Sequence, residues 1–216
     1  MLIFGLVGAG GFGREVMSFA RQSLAQSIGL GGADIETVFI DDRLAGKVVN
    51  GLKVLALDAF ERLPQPKLFN VAISDFQVRR QLANRLRECA DPVTLVAPNA
   101  VIGDGNAIGA GAILCAFAHI TSNASIGEFF HCNIYSYVAH DCVLGDFVTF
   151  APSVHCNGAV MIDDDAYVGT GAILRQGTPD KPLHIGRAAV IGMGSVVTKS
   201  VAANAIVMGN PAKAHL

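Results

Sequence analysis

Several features that are common in proteins are scarce or missing in this sequence of 216 residues. Tryptophan is missing, and charged residues make up 16% of the chain, against about 25% in ordinary globular domains. The 16 lysines and arginines are balanced by 18 aspartates and glutamates, so no excess of positive charge indicates nucleic acid as a partner. The one basic cluster (Arg79, Arg80, Arg85 and Arg87) is interpreted as the solvated face of a helix.

No run of apolar residues reaches the ~18 residues that cross a membrane. The N-terminal MLIFGLVGAGGFG is apolar, but no cationic segment precedes it, which favours a buried strand and a glycine turn over a signal peptide. The five cysteines form an odd set without a C-x-x-C pair, which argues against a disulfide framework and a cysteine zinc site. We therefore expect a cytoplasmic protein, without membrane insertion and without a bound metal.

Glycine is abundant instead, with 24 residues, and the first part of the chain places several of them between a strand and a helix. The apolar run Leu2–Val7 leads into glycines between residues 8 and 13, and apolar residues then recur at helical spacing as far as Leu24. Two further strands are predicted over Thr37–Ile40 and Phe69–Ile73. This alternation predicts a Rossmann-like α/β domain over residues 1–94.

From about residue 100 an apolar residue recurs at every sixth position. The positions that follow this spacing without a break are Ile102, Ile108, Leu114, Ile120, Ile126, Cys132, Val138, Leu144, Phe150, Cys156, Ile162, Val168 and Leu174. The spacing is interrupted across Arg175–His184 and resumes at Ile185. A hexad fits one short strand and a corner, so three hexads close a triangular coil whose neighbours pair edge to edge. Residues 95–216 are therefore predicted to form a parallel β-helix.

The two patterns together resemble a known family. The matching stretches are LVGAGGFGREV (6–16), FIDD (39–42), VAHDCVLGDF (138–147), AVIGMGSVVTKSV (189–201) and MGNPAK (208–213). They resemble the PglD/NeuD-like sugar acetyltransferases, a subgroup of the hexapeptide-repeat acyltransferases. The resemblance implies a left-handed β-helix after the Rossmann-like domain, and transfer of an acetyl group from acetyl-CoA to a nucleotide-linked amino-sugar for surface polysaccharide or glycan biosynthesis. It also implies a homotrimer with acetyl-CoA in the groove between neighbouring subunits.

His140 is the candidate general base among six histidines. It follows Val138 by two positions, so it lies at a coil corner outside the apolar column. Acetyl transfer needs a base for the proton of the attacking amine or hydroxyl, and histidine is suited to this near neutral pH. Asp141 would fix the imidazole tautomer and stabilise the imidazolium, a role that the resemblance also implies for this pair. The alternative is an exposed corner histidine.

The candidate contacts to acetyl-CoA lie in later coils. Gly158 follows His140 by three hexads, one coil above it, and a glycine allows a thioester to approach the backbone N–H. The resemblance places acetyl-CoA at Gly158 and at the backbone of Thr170 and Met193, with Lys213 facing its pyrophosphate or adenine end. A plain corner glycine and a solvated tail lysine are the alternatives.

The glycine-rich turn of the first domain is the candidate nucleotide site. Gly8, Gly10 and Gly13 form a G-x-G-x-x-G fingerprint between a strand and a helix, whose N-terminus favours phosphate. Alone this fingerprint suggests NAD. The resemblance implies that the same turn, with Gly10, Gly11 and Gly13, holds a nucleotide-sugar instead.

Three polar residues complete the predicted substrate site. Asp41 and Asp42 end the second strand, where they either bind a ribose hydroxyl or a base N–H or form a turn. Asn133, seven positions before His140, corresponds to a sugar-contacting position in the family, and a structural asparagine ladder is the alternative. One further set, spaced by three hexads, is expected to stack in one column, either beside the active groove or as a polar ladder: His119, Tyr137 and His155.

The sequence departs from the family pattern at three places. A second histidine often follows the G-D-F motif in the family, and Thr149 stands there. The loop over residues 175–184 is about five residues longer than the plain hexad count. The frequent Gly-Gly pair is Asn157-Gly158 here.

Three other functions are weighed against acetylation of a nucleotide-linked amino-sugar, and the sequence leaves N- and O-acetylation both open. One is O-acetylation of a sialic-acid-like sugar. Another is a metal-dependent β-helix enzyme of the γ-carbonic-anhydrase type, which leaves the first domain and the tail unexplained. The third is a non-catalytic nucleotide-binding or scaffolding module.

Overall fold

The computed structural model describes residues 2–28 and 35–215. The chain forms two compact units, Met1–Pro98 and Asn99–Leu216. The first unit extends past residue 94, where the sequence pattern changes, and includes the strand Leu95–Val96. The Val96 N–H donates a hydrogen bond to Ser23 Oγ at 2.8 Å.

The first unit alternates strands and helices around one sheet. In chain order its elements are β1 (Leu2–Val7), α1 (Gly11–Ile28), β2 (Ile35–Ile40), β3 (Val48–Val49), β4 (Leu52–Leu55), α2 (Leu57–Glu61), β5 (Lys67–Val71), α3 (Phe76–Leu86), β6 (Asp91–Pro92) and β7 (Leu95–Val96). The strand order is β3-β4-β2-β1-β5-β6, and only the β3–β4 pair is antiparallel. The chain runs from β1 to one side and later to the other, and sheets of this type bind ligands at the carboxyl ends of the strands where the order reverses.

The predicted Rossmann-like class is confirmed, with both strands displaced by two residues at their beginnings. The strand expected at Thr37–Ile40 begins at Ile35, and the strand expected at Phe69–Ile73 is Lys67–Val71. The apolar residues of β1 are buried from Ile3 onward, and helix α1 covers the sheet with its own buried apolar residues. The periodicity of apolar residues therefore identified these elements, while their ends depend on strand pairing.

The interpretation of the arginine cluster as a solvated face is wrong for one residue. Arg79 in α3 is fully buried, and its Nη1 donates to the carbonyl oxygen of Ile73 at 2.9 Å, which offsets the loss of hydration of the charge. Arg85 is exposed, and it donates to Glu61 at 2.7 Å and to Asp58 at 2.5 Å. These hydrogen bonds, that to Glu61 first, raise the pKa of Arg85 above its ordinary value.

The second unit is built from short strands that recur at the hexad spacing. They are β8 (Val101–Ile102), β9 (Ala107–Ile108), β10 (Ile113–Leu114), β11 (His119–Ile120), β12 (Ser125–Ile126), β13 (His131–Cys132), β14 (Tyr137–Val138), β15 (Val143–Leu144), β16 (Thr149–Phe150), β17 (His155–Cys156), β18 (Val160–Ile162), β19 (Tyr167–Val168), β20 (Ile173–Leu174), β21 (Leu183–Ile185), β22 (Val190–Ile191), β23 (Val196–Val197), β24 (Ile206–Met208) and β25 (Lys213–Ala214). Their pairing gives three parallel sheets, which are the faces of a triangular prism.

The faces and corners of this prism are named here by their strands. Of the strands of the second unit, the first face holds β8, β11, β14, β17, β20 and β23, and the second holds β9, β12, β15, β18 and β21. The third face holds β10, β13, β16, β19 and β22, followed by the antiparallel pair β24–β25. The first corner joins the first face to the second, the second corner joins the second face to the third, and the third corner joins the third face to the first.

The hexad column fills the interior of the prism, as predicted. From Leu114 to Leu174 every column residue is at most 4% exposed, whereas Ile102 in the first coil is 43% exposed. Strands in neighbouring coils pair at a separation of three hexads, as Val143 does with Met161. Met161 in turn pairs with His184, 23 positions further along the chain. The separation is five residues more than three hexads, which is the length expected for the extended loop. The hexad spacing then resumes.

A left-handed backbone conformation recurs at the corners. Nine residues other than glycine with φ between 52° and 68° follow one another at intervals of six: Phe117, Asn123, Phe129, Tyr135, Asp141, Phe147, Ser153, Ala159 and Asp165. Such a conformation costs an L-residue about 1–3 kcal/mol, so it persists only where the surrounding structure determines it. Here the strand ladders on both sides of each corner do so.

Candidate active site

His140 and Asp141 occupy the first corner, directly after β14. Asp141 has a φ of 60°, and Asp141 Oδ2 lies 2.8 Å from His140 Nδ1. Side chains of adjacent residues usually diverge in extended backbone, so the left-handed turn is what allows this pair to form. Both side chains are about half exposed, 50% and 53%. Because the carboxylate accepts the hydrogen of Nδ1, Nε2 is the nitrogen that remains able to accept a proton.

Gly158 lies against the imidazole of His140, one coil above it. A Cβ placed on Gly158 falls 2.5 Å from His140 Cε1 and 2.6 Å from His140 Nε2. Since φ of Gly158 is not in the left-handed region, the backbone conformation does not require glycine here; the imidazole does. The corner therefore offers a bare peptide next to the nitrogen that would act as the base.

Two side chains that the sequence analysis did not assign to this corner are linked there. Tyr137 Oη donates a hydrogen bond to Asn157 Oδ1 at 2.8 Å, and Asn157 Nδ2 donates to the carbonyl oxygen of Leu174 at 2.7 Å. Burial raises the pKa of Tyr137 above its ordinary value, so the phenol is neutral and able to donate. The usable signal in the sequence is Asn157 itself, which stands where the family often has glycine.

Thiols line the interior beneath this corner. Cys142 Sγ donates to the carbonyl oxygen of Asn157 at 3.2 Å and lies 4.0 Å from Cys156 Sγ. The hydrogen bond between the thiols lowers the pKa of Cys142 and raises that of Cys156. All five cysteines are free.

The other predicted contacts in the β-helix lie at a different corner. Asn133 follows β13, Thr170 follows β19 and Met193 follows β22, which places all three at the third corner. Thr170 is exposed and Met193 is 80% exposed. Asn133 Oδ1 accepts the N–H of Ile134 at 2.7 Å, which is a local turn contact. Within one chain the structure does not bring these residues to His140.

Lys213 lies in β25, not in an irregular tail. The strand pairs with β24, with Lys213 opposite Met208, and the side chain is exposed. The Ala212 N–H donates to the carbonyl oxygen of Val196 at 2.8 Å, which ties the segment to the last coil. The lysine is therefore an exposed cation on an ordered strand.

Thr149 and the stacked column occupy two of the faces. Thr149 is buried in β16 on the third face, away from the first corner. The predicted column is confirmed, because His119 pairs with Tyr137 and Tyr137 with His155 on the first face. The Tyr137 ring meets the His155 ring edge-on, with centroids 5.2 Å apart.

The first unit contains a cavity of about 540 Å³ at the carboxyl ends of β1 and β2. Its lining includes Gly10, Gly11 and Gly13, together with Asp41 and Asp42, so the structure brings all five predicted residues of this unit together. The first residues of α1 line the same cavity, and the N-terminus of a helix favours an anionic group.

The glycines of the turn serve two different purposes. A Cβ placed on Gly10 or Gly11 meets nothing within 4 Å, so these two keep the cavity open. A Cβ on Gly13 would collide with the carbonyl oxygen of Gly8, so Gly13 permits the close packing of α1 on the turn. Of the three, only Gly10 and Gly11 present free surface to a ligand.

The two aspartates differ in their contacts within the chain. Asp41 Oδ2 accepts the Ala9 N–H at 3.2 Å and Oδ1 accepts the Arg43 N–H at 3.0 Å, so this carboxylate shapes the turn. Asp42 is exposed, and its Oδ1 accepts the Leu57 N–H at 2.8 Å. Of the two carboxylates that line the cavity, that of Asp42 accepts fewer hydrogen bonds from the chain.

Two features are absent from residues 2–28 and 35–215. These residues include no helix of the length and apolar character that crossing a bilayer requires. They also include no group of three or more histidine, cysteine, aspartate or glutamate side chains able to hold a metal ion.

Comparisons with known proteins cover both units. Residues 4–86 match the family described as PglD N-terminal domain. Over 215 residues the chain is 49% identical to the GDP-perosamine N-acetyltransferase of Escherichia coli O157:H7. This alignment covers 99% of this chain and 96% of that protein. The structure of WeeI from Acinetobacter baumannii AYE superimposes over all of both chains with a TM-score of 0.93 and 48% identity. The acetyltransferase domain of PglB from Neisseria gonorrhoeae FA1090, in complex with acetyl coenzyme A, matches with a TM-score of 0.86 and 28% identity over 99% of this chain and 98% of that one.

These matches extend across the glycine cavity and the whole prism. The likeness to solved acetyltransferases confirms the expected left-handed parallel β-helix. The identity to a curated sugar N-acetyltransferase over nearly the full length of both proteins confirms that the chain is an acyltransferase. The chain belongs to the PglD/NeuD-like sugar acetyltransferases of the hexapeptide-repeat acyltransferase superfamily.

Proposed function

We propose that this enzyme transfers the acetyl group of acetyl-CoA to the amine of a GDP-linked amino-sugar, with GDP-perosamine as the first substrate to test. The observation that carries the proposal is the His140–Asp141 pair with the Gly158 peptide beside the imidazole. The similarity to a GDP-perosamine N-acetyltransferase supports the amine and the GDP carrier. The complex of the similar PglB domain supports acetyl-CoA as the donor.

The chemistry follows from the geometry of the first corner. His140 Nε2 takes a proton from the substrate amine while the amine nitrogen forms its bond to the acetyl carbon. The Asp141 carboxylate, 2.8 Å from Nδ1, stabilises the imidazolium that results. His140 then returns the proton to the sulfur of CoA as the carbon–sulfur bond breaks, which leaves the amide product and free CoA.

The Gly158 N–H is the proposed donor to the oxyanion that develops on the acetyl oxygen. Gly158 has no side chain of its own to shield this peptide, and no acceptor within the described part of the chain takes its hydrogen. Removal of one oxyanion donor typically lowers kcat by about 10²–10³-fold. The bare peptide at this corner therefore has a catalytic use as well as a steric one.

We assign the nucleotide of the substrate to the cavity of the first unit. The open surface at Gly10 and Gly11 suits a diphosphate at the N-terminus of α1. The exposed carboxylate of Asp42 is an acceptor that suits the N–H donors on the edge of guanine. We keep Gly13 and Asp41 in the site as the residues that shape it.

We propose that the working enzyme is a homotrimer with three equivalent sites between subunits. His140 and Gly158 lie at the first corner, whereas Asn133, Thr170 and Met193 lie at the third, one face away. A face spans on the order of 15 Å at about 3.3 Å per extended residue, beyond the reach of these side chains. The third corner of a second copy would supply the acetyl-CoA contacts of Thr170 and Met193 and the sugar contact of Asn133, with Lys213 toward the pyrophosphate.

The reaction is tested by incubating the enzyme with acetyl-CoA and GDP-perosamine and by following thiol release and the mass of the product. We expect release of one CoA for each acetamido-sugar formed, and no release with GDP-mannose, which lacks the amine. Thiol release with sialic acid but not with GDP-perosamine would replace this proposal by O-acetylation.

The shared site is tested by light scattering and by mixing two inactive variants. His140→Ala damages the first corner, and Thr170→Trp blocks the third. Trimers that are dissociated and reassembled from both variants contain some sites with one intact first corner and one intact third corner. We expect partial recovery of activity in the mixture; a fully active monomer would contradict the trimer.

We also place the enzyme in the cytoplasm, in the synthesis of surface polysaccharide or glycan. Acetyl-CoA is a metabolite of that compartment, and the five free thiols are compatible with its reducing potential. Fractionation of cells, with the activity measured in each fraction, tests this placement.

A further inference from the structure

Asn157 links three successive coils at the corner that carries Gly158. Its Oδ1 accepts the hydroxyl of Tyr137 at 2.8 Å, from the coil below, and its Nδ2 donates to Leu174 O at 2.7 Å, in the coil above. Neither contact takes part in the reaction as proposed. Both the oxygen and the nitrogen of this half-buried amide therefore form hydrogen bonds that hold the corner.

The backbone ladder is stretched at the same point. The Asn157 N–H lies 3.4 Å from the carbonyl oxygen of Leu174, whereas the His155 N–H reaches Ala172 and the Ala139 N–H reaches Cys156 at 2.9 Å. The side-chain amide donates to the oxygen that the backbone reaches poorly. At Asn157 the side chain thus supplies the short hydrogen bond to the next coil that the backbone N–H makes only at 3.4 Å.

The peptide that follows Asn157 is also held from inside the prism. Its carbonyl oxygen accepts Cys142 Sγ at 3.2 Å. In a trans peptide the carbonyl oxygen and the amide hydrogen point in opposite directions. Because the oxygen is turned toward the interior thiol, the Gly158 N–H is turned away from the interior, on the side of the chain where the half-exposed imidazole lies.

We propose that Asn157 is a positioning residue that sets the direction of the Gly158 N–H, with Tyr137 and the Cys142 thiol as its partners. This proposal rests on the proposed function, in which that N–H meets the developing oxyanion. An oxyanion donor acts in the transition state, so misdirecting it lowers kcat and leaves the binding of the amino-sugar nearly unchanged.

The test compares Asn157→Ala, Tyr137→Phe and the double variant, with kcat and both KM values measured for acetyl-CoA and GDP-perosamine. Alanine is suitable because it already stands at the equivalent corner positions Ala139 and Ala151. We expect kcat to fall about tenfold in Asn157→Ala, as a donor that is misaimed rather than removed, and less in Tyr137→Phe. KM for GDP-perosamine should stay within about twofold. The double variant should be no worse than Asn157→Ala, because the tyrosine acts only through the asparagine.

Matched controls separate positioning from coil stability. Asn106 also bridges coils, donating to Gly103 O at 2.9 Å and accepting the Ala124 N–H at 2.8 Å, but it lies two coils away from His140 on the N-terminal side. Asn106→Ala should lower Tm about as much as Asn157→Ala and leave kcat unchanged. Tyr167→Phe controls for the loss of a hydroxyl at the equivalent strand position.

The outcomes are distinguishable. An inactive wild-type enzyme would overturn the proposed function and this inference with it. An active wild-type enzyme with equal kcat in Asn157→Ala and Asn106→Ala would overturn the positioning role alone. If Asn157→Ala does not fold, Tyr137→Phe decides. An unchanged kcat in Tyr137→Phe overturns the proposal. A fall in kcat of about threefold or more, with kcat unchanged in Tyr167→Phe, supports it.

Discussion

The cavity of the first unit and the first corner of the β-helix differ in how much of a site one chain provides. The cavity of about 540 Å³ is lined by strand ends, a helix N-terminus and two aspartates of the same unit. The corner is an outward edge, where His140 and Asp141 are half exposed and the other predicted contacts lie on another edge. An open twisted sheet has a crevice where its strand order reverses, whereas a prism edge becomes concave only against a second surface.

This difference predicts that changes in the two regions affect different kinetic constants. Changes in the cavity should act on the KM of the nucleotide-sugar, since the part of the substrate that we assign to the cavity does not react. Changes at the first corner should act on kcat, since we assign the reacting atoms to that corner. The following predictions test that division.

The largest effect is expected for His140→Ala. The loss of a general base typically lowers kcat by about 10²–10⁴-fold. The fold should persist, because the side chain is half exposed and outside the apolar column. Steady-state kinetics together with circular dichroism test this; a kcat near that of the wild type would remove His140 as the base and direct attention to His155 or His119.

Gly158→Ala should follow, with kcat lowered about 10²-fold, the cost of a displacement near 1 Å at a reacting group. The new methyl group would lie 2.6 Å from the position of His140 Nε2, so the ring has to move. Neither Gly145→Ala nor Gly194→Ala is a matched control, because backbone atoms crowd Gly145 and the φ of 66° at Gly194 strains an alanine. A Gly158→Ala enzyme with the kcat of the wild type would contradict the role of the bare peptide.

Asp42→Ala should raise the KM of GDP-perosamine about tenfold, the value of one hydrogen bond to a charged group. The KM of acetyl-CoA and kcat should change little. Because Asp42 also accepts the Leu57 N–H, Asp42→Asn serves as the control that keeps an acceptor for that N–H. A fall in kcat with both KM values unchanged would place the aspartate outside the substrate contact.

The smallest effect is expected for Asp141→Asn, a loss of kcat of about fivefold, well below the loss in His140→Ala. Asparagine tolerates the φ of 60° at this position, so the corner should keep its shape. The variant removes the negative charge that stabilises the imidazolium. A loss as large as that of His140→Ala would show that the carboxylate does more than orient and stabilise.

The hexad spacing predicted the β-helix, its interior column and the five-residue extension, because each depends on a period that is visible in the chain. The left-handed corners were not predicted. Their occupants include Phe117, Ser153 and Ala159, which have no intrinsic preference for that conformation. Neighbouring strands impose it, and that constraint is not local in the sequence.

The site was predicted unevenly for the same reason. The hexad spacing put His140 and Gly158 one coil apart, and the structure places them in contact. Pairing of His140 with Asp141 needed the left-handed turn, and the Tyr137–Asn157 contact joins residues separated by one coil and two further positions. Burial of Arg79 was missed because a charge pattern on a helix does not show what packs on it.

The extended loop between β20 and β21 bears on how such enzymes diversify. It leaves the prism at the first corner, where the Gly177 N–H donates to the Gly158 carbonyl oxygen at 2.9 Å, and the column is in phase again at Ile185. Because each coil contacts only its neighbouring coils, an insertion at a corner leaves the strand pairing on either side intact. Loops of different length can therefore be inserted one coil above Gly158 while the rest of the scaffold keeps its pairing.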